Sequence, residues 1–433
     1  MTIDICSPYT LPCGTRLRNR IMKAAMTEGL ADAHGHVTEP LVTLYRRWSH
    51  GGAAIHVTGN VMIDAQYLER PGNLVVHKNT PLDGLKRLAA AGTEGGNELW
   101  MQISHPGRQC SRIVNMQPVS ASDVQLRILG NFARPRALTA EEIPGIITRY
   151  AETAEQAARA GFSGVQIHAA HGYLISQFLS PVTNRRHDEW GGSLANRARF
   201  LLDTVRATRA RVGASFPIAV KLNSADFQRG GFSPDDSLQV ATWLEQENID
   251  LLEVSGGTYE QPRLVGRTGS TKTLDLPKAQ STRQREAYFL DYAQKMREAL
   301  TLPLAVTGGF RSRAFMDDAL RNGELDVIGV ARPLCAQPDI IQSFLDGGAA
   351  PLPSDEHGQT LGPGWLGPAS PFNSVRAFNT QGAVAWFYRQ MIEIAHDRPA
   401  LRNLSTFGAL WRHLRDEYRM GFARRRQLRG SSD

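Results

Sequence analysis

His168, His171 and Tyr173 lie close together in the stretch GVQIHAAHGYLISQFLSPVTNRRHDEWGGSLANRAR, residues 164–199. A neutral imidazole donates from one ring nitrogen, and a phenol with an ordinary pKa near ~10 keeps its proton at pH 7. Three such groups, set three and two residues apart, can grip one small polar group and supply a proton to it. They follow an apolar run containing Val165 and Ile167, which reads as the turn leaving a buried strand. Asn184, Arg185, Asp188, Trp190, Gly191 and Gly192 then read as loop, and Ser193 as the N-cap of a helix. The other readings of the two histidines are a pair buried for packing or a metal site lacking a third ligand.

A second group has the chemistry of an anion site. Two further apolar runs end in Thr307-Gly308-Gly309-Phe310 and Ala331-Arg332-Pro333. Glycines let backbone N–H groups approach an anion closely, and an arginine can grip it with two parallel bonds. The alternative is a tight turn beside a surface arginine. The remaining run ends contribute Ala25, Met26 and Thr27, then Gly59, Gln102, Lys221, Ser255 and Gly256. A ring of polar, small and basic residues of this kind could hold a flat, polar, phosphorylated ligand.

Those ends must be brought together by regular elements. Strands are expected at 20–26, 53–58, 99–103, 164–168, 218–222, 251–254, 304–307 and 327–330, each nearly continuous in apolar residues. Helices are expected at 39–50, 81–91, 140–160, 194–212, 234–247, 284–299, 313–322 and 338–345. Alternating units of this kind imply an α/β fold, a (β/α)8 TIM barrel over residues 1–346, with reactive groups at the C-terminal strand ends. A doubly wound open sheet would carry GxGxxG after its first strand, and none is there. The stretch 104–138 is too long for a plain turn and is expected to cap the mouth. Residues 347–433 form a linker and a helical C-terminal extension, with helices at 372–396 and 406–422. Trp386, Phe387, Tyr388 and Trp411 would pack it on the barrel or on another subunit of a homo-oligomer.

HAAHGYLISQFLSP followed by TNRRHDEWGGSLANRARF resembles the signature of the Old Yellow Enzyme family of FMN-dependent ene-reductases, and the likeness covers residues 5–345. It implies an FMN cofactor, NADH or NADPH as co-substrate, and reduction of a small α,β-unsaturated carbonyl or nitro compound by a ping-pong hydride transfer. By that resemblance His168 and His171 hold the substrate oxygen and Tyr173 protonates the α-carbon. Thr27 falls where the family bonds the flavin O4, Gln102 where it reads the pyrimidine edge, and Lys221 beside N1 and O2. Asn184, Arg185, Asp188, Asn196 and Arg197 are read as struts for the loop. The chain departs from the pattern at Ala25, where many relatives have proline, at Gly29, where some have tyrosine, and at Trp190, where tyrosine is usual.

The bulk numbers narrow the classes. A net charge of +7 spread over 433 residues, with no basic patch interleaved with aromatics, does not indicate nucleic-acid binding. Arg419 and Arg424–Arg426 form one basic cluster, read as a solvated helix face or tail. Four cysteines without a CxxC argue against a structural zinc or a cysteine-bound iron–sulfur cluster, and no metal is expected. The cysteine usage, the absence of a leader-like start and the lack of an eighteen-residue apolar run suggest a cytoplasmic protein without a membrane partner. An NADH oxidase, a flavin-dependent dehydrogenase or demethylase, a phosphosugar isomerase or aldolase, and a non-catalytic binding protein are the competing functions.

Overall fold

The computed structural model describes residues 3–257 and 289–430. Eight parallel strands follow one another in chain order: β1 (Ile21–Lys23), β2 (Ile55–Val57), β3 (Glu98–Ser104), β4 (Gly164–Ala169), β5 (Ile218–Asn223), β6 (Leu251–Ser255), β7 (Leu304–Thr307) and β8 (Val327–Val330). Each pairs with the next, and β8 returns to β1 in the register Gly329↔Met22, so the sheet closes into the expected (β/α)8 barrel. The outer helices are α1 (Glu39–Ser49), α2 (Leu82–Thr93), α3 (Glu142–Ala160), α4 (Leu194–Val212), α5 (Pro234–Gln246), α6 (Leu290–Ala299), α7 (Arg313–Arg321) and α8 (Ile340–Leu345). Local chemistry sets their starts. Ser193 accepts from Asn196 N at 3.3 Å, and Ser233 accepts from Asp236 N at 3.0 Å just before Pro234.

Two expectations need correction. The helix expected at 338–345 forms over Ile340–Leu345, and a separate short helix not expected from the sequence, Pro333–Ala336, precedes it. Pro338 supplies no N–H and forces Gln337 out of the helical region, to φ −138 and ψ 84. The first strand is only three residues long, although Ala24 N still donates to Val330 O at 2.9 Å. The expected start of the 284–299 helix lies outside the described residues.

Side chains two residues apart on a strand share a face, and that period stacks the barrel interior in layers. At the N-terminal end Met22, Trp100, Ala219, Leu251, Ala305 and Val327 make an apolar layer, closed below by Leu11 and Leu17. Gly164 leaves room for the Trp100 indole, whose Cδ1 would lie 2.5 Å from an added Cβ. Two residues further along the strands the layer turns polar: Gln102, Gln166, Lys221, Glu253 and Thr307, all buried. Two further still come His168, Asn223 and Ser255 at the mouth. The stretch 104–138 docks at this end, with Leu174 N donating to His105 O at 2.9 Å and Gln109 Nε2 to His171 O at 3.1 Å.

The extension comprises an irregular linker, α9 (Asn373–Ala395) and α10 (Thr406–Gly430). Trp386 and Phe387 are buried in the same core as the barrel helices, so α9 packs on the barrel. Trp411 does not: it is exposed along the outer face of α10, with Phe407, Leu414, Tyr418 and Phe422. The inner face of α10 crosses the loops that follow β1, β2 and β3. Glu417 pairs with Arg70 at 2.6 Å, and Arg425 donates to Arg112 O at 2.9 Å. Arg424, expected to be solvated, is buried and donates to Ala33 O at 3.0 Å and Ala65 O at 2.8 Å. Among the described residues no helix is long and apolar enough to cross a membrane.

Trp386→Ala removes one of the largest side chains fully buried in this core. The expected cost is ~3–5 kcal/mol, read as a lower denaturant midpoint. An unchanged midpoint would mean that the extension adds nothing to the stability of the barrel.

Candidate active site

The mouth of the barrel is built around the end of β4. His168 lies within that strand, and its Nδ1 accepts from Ala170 N at 3.2 Å, which places the proton of a neutral ring on Nε2. His171 follows in the turn with φ 60, a left-handed conformation that costs a non-glycine residue of order 1 kcal/mol. Asn223 holds it there by accepting from His171 N at 3.1 Å, and Nε2 of the ring lies 2.8 Å from Ser255 Oγ. The two imidazoles meet edge to face at 5.0 Å, and the Tyr173 ring lies 4.8 Å from that of His168. Three sequence-local residues therefore converge in space. Burial, followed by the neighbouring His171 and Lys221, holds the His168 pKa well below its ordinary value. Burial and Lys221 do the same for His171. Both rings are neutral hydrogen-bonding groups at neutral pH.

The segment after His171 is braced as expected. Asn184 Nδ2 donates to Phe178 O and Trp190 O, both at 2.8 Å. Arg186 Nε bonds Asp188 at 2.9 Å, Asn196 Nδ2 donates to Gly191 O at 3.0 Å, and Arg197 joins Leu179 O at 2.8 Å to Asp236 at 3.0 Å. Arg185 takes part through its backbone N–H, 2.9 Å from Ser122 Oγ.

Below the histidines the polar layer forms one connected chain. Gln102 Nε2 donates to Gln166 Oε1 at 2.6 Å, and Gln166 Nε2 donates to Glu253 Oε2 at 2.7 Å. Lys221 Nζ lies 3.0 Å from Glu253 Oε1, which also accepts from Thr307 Oγ1 at 2.6 Å. Gln102 and Lys221 were read from the sequence. Gln166 and Glu253 were not, although each stands two residues before a mouth residue on the same strand.

At the β7 and β8 ends Gly308 and Gly309 adopt φ 137 and 87. Neither N–H is bonded to another described residue. Arg332 opens the short helix after β8, and its Nη1 lies 3.0 Å from Glu356 Oε1. Arg311, which sequence reading passed over, meets the same carboxylate at 2.7 Å. Burial raises the Glu356 pKa, but Arg332 and then Arg311 outweigh it and hold it below the usual carboxylate value. Two guanidinium groups already clasp an anion where a phosphate was expected. The signal for Arg311 was its position directly after Gly308-Gly309-Phe310.

The first-strand residues have partners within the protein. The Thr27 hydroxyl donates to Glu69 at 3.0 Å, and the same carboxylate accepts from Asn60 Nδ2 at 2.7 Å. The Gly59 N–H donates to Glu28 at 2.9 Å, so what this residue provides is space: a Cβ would lie 2.3 Å from Glu28 Oε2. Met26 Sδ lies 3.2 Å from Cys335 Sγ, beside Ala25 at the end of β1. Gly256 fits between Phe289 and Phe227, each under 3.0 Å from an added Cβ, and Ala331 accepts from Leu334 N at 2.9 Å.

A closed parallel barrel with donors, a buried cation and an arginine pair towards its C-terminal mouth defines a (β/α)8 protein equipped to hold a flat, phosphorylated ligand. The chain belongs to the NADH:flavin oxidoreductase / NADH oxidase family, whose profile matches residues 4–347. It is 40% identical over 354 residues to the NADH-dependent flavin oxidoreductase nadA of Aspergillus parasiticus, covering 77% of each chain. It superposes on the old yellow enzyme homologue from Zymomonas mobilis with a TM-score of 0.68 and 27% identity, over 80% of this chain and 94% of that one. The complex of 2-naphthoyl-CoA reductase with 2-naphthoyl-CoA gives a TM-score of 0.74 at 26% identity, over 81% of this chain and about half, 54%, of that one. The residues present fit FMN, because the arginine pair already donates to an anionic group, Glu356, and the glycines beside it carry no side chain into that space.

Burial keeps several histidines unprotonated: His168 and His171, His56 well below its ordinary value, and His105 pushed down to about 4. An unfolded histidine takes up a proton below pH ~6.5, so as pH falls the unfolded chain binds more protons and stability declines. For His105 that loss begins near pH ~6.5, approaches ~1.4 kcal/mol per pH unit and ends near its folded value. His105→Gln is expected to flatten the denaturant-measured slope between pH 6.5 and 4.5 by about that amount. An unaltered slope would mean that the folded protein protonates His105 at its ordinary pH.

Proposed function

We propose that this protein uses FMN and NADH to reduce the activated C=C bond of a small α,β-unsaturated carbonyl or nitro compound. The observation that carries the reading is the pair of buried, neutral imidazoles with the Tyr173 ring against His168. NADPH is the other nicotinamide to be compared. The relative named NADH-dependent favours NADH.

Gly308, Gly309, Arg311 and Arg332 would hold the FMN phosphate, with Ala331 beside them. Gln102 and Lys221 would meet the pyrimidine edge, and Ala25, Met26 and Thr27 would lie along the ring, with Ser255 and Gly256 at the adjoining strand end. When bound, FMN supplies a ring that takes a hydride from the nicotinamide and delivers one to the substrate. Lys221 places a positive charge where negative charge accumulates, an electrostatic contribution that needs no rearrangement during reaction. His168 and His171 hold the carbonyl or nitro oxygen and draw electron density from the β-carbon, where the hydride arrives. The Tyr173 hydroxyl gives its proton to the α-carbon. The burial of both histidines keeps water from competing for the polarised oxygen.

The family name also supports a second reading, an NADH oxidase that passes the electrons to dioxygen. Anaerobic single-turnover mixing with an enone, compared with mixing against dioxygen, separates the two. For the enone reaction, Tyr173→Phe is expected to bind FMN and accept electrons from NADH normally. Reoxidation by 2-cyclohexenone should slow by ~10²–10⁴-fold in stopped-flow traces. Equal reoxidation rates in the two proteins would remove Tyr173 from proton transfer.

A further inference from the structure

We propose that Glu253 is a positioning residue for the flavin site, fixing both the Lys221 ammonium and the face that the Gln102 amide presents. The proposal rests on the flavin reading above and extends it to a residue deep in the barrel. Glu253 is wholly buried on β6, and its carboxylate meets three groups: Lys221 at 3.0 Å, Thr307 at 2.6 Å and Gln166 at 2.7 Å. As the anion of an ion pair it only accepts. Gln166 must therefore turn its NH2 toward Glu253, which leaves Gln166 Oε1 as an acceptor. Gln102 must then turn its own NH2 toward Gln166, as the 2.6 Å contact shows.

The chain of constraint ends at the mouth. With one N–H of Gln102 committed to Gln166, its Oε1 and second N–H are left for a ligand. An acceptor beside a donor is the complement of a pyrimidine edge, in which an N–H lies between two carbonyls. Reversing Gln166 would set oxygen against oxygen at Glu253 and NH2 against NH2 at Gln102, and reversing Gln102 would set oxygen against oxygen at Gln166, so the carboxylate decides the orientation. The same carboxylate sits against the only lysine of this layer and offsets its charge. Lys221 therefore acts as half of an ion pair, and its pull on a reduced, negatively charged ring is moderated.

Glu253→Gln and Gln166→Met separate the two effects. In Glu253→Gln the lysine keeps its charge without a counter-charge. Reduced FMN should then be favoured over oxidised FMN about tenfold more than in the wild type, a rise of ~30 mV in the two-electron potential. Affinity of the apoprotein for oxidised FMN, followed by flavin fluorescence, should fall because Gln102 is no longer oriented. Gln166→Met breaks only the relay, so affinity should fall while the potential stays at the wild-type value. Glu253→Asp, which keeps the charge, should restore most of the potential. If Glu253 served stability alone, both redox forms would weaken equally and the potential of Glu253→Gln would not move, which overturns the proposal. A Glu253→Gln protein too unstable to hold FMN leaves the decision to the other two, and a shifted potential in Gln166→Met overturns it as well. Failure of the wild-type protein to bind FMN would instead defeat the flavin reading itself.

Discussion

Lys221 and Glu253 face each other 3.0 Å apart inside a closed barrel, with side chains 4% and 0% exposed. Withdrawing two charges from water costs several kcal/mol per ion, and attraction between them offsets this only when the remaining hydrogen-bonding capacity is also satisfied. The surrounding layer meets that condition. Thr307 and Gln166 complete the carboxylate, and Gln102 completes Gln166. Even the neighbouring glycine follows from it, because a Cβ on Gly329 would lie 1.8 Å from Thr307 Oγ1 and push the hydroxyl off its acceptor. The polar layer is thus a single connected unit, so a change at one member is felt by the others.

That unit separates two different environments. Beneath it the barrel is filled by Trp100, Leu251 and small residues, a packed apolar plug that fixes strand spacing. Above it His168, Asn223 and Ser255 stand on the same strands, so their positions are inherited from the register of the layer below. The left-handed His171 belongs to this scheme. Its backbone N–H reaches Asn223 and its ring reaches Ser255, which ties the β4 turn to β5 and β6. A rigid floor and a cross-braced turn give the mouth little freedom to close over a ligand by strand movement. Adjustment falls to the loops above it.

The barrel was legible because its strands are short, nearly continuous apolar runs. Leu304–Thr307 and Val327–Val330 coincide with the runs that define them. His168, His171 and Tyr173 were legible because their chemistry is local in the chain. Gln166 and Glu253 were not, since an isolated polar residue in an apolar strand acquires meaning only when the facing strands are known. Glu69 and Glu356 were hidden for a related reason: their partners Thr27 and Arg311 lie 42 and 45 residues away. The basic cluster near the C-terminus misled because composition alone cannot distinguish a solvated arginine from Arg424, which is turned inward onto two backbone carbonyls.

The α10 helix bonds to loops near the opposite end of the chain, across separations of 347 residues for Arg70–Glu417 and 391 for Ala33–Arg424. At typical elongation rates of ~5–20 residues per second, the loop carrying Arg70 leaves the ribosome about 20–70 s before the residues that cover it. Until then an arginine destined for burial and the edges of three βα loops stand open to solvent and to chaperones. The rim of the barrel is therefore the last part of the nascent molecule to be finished.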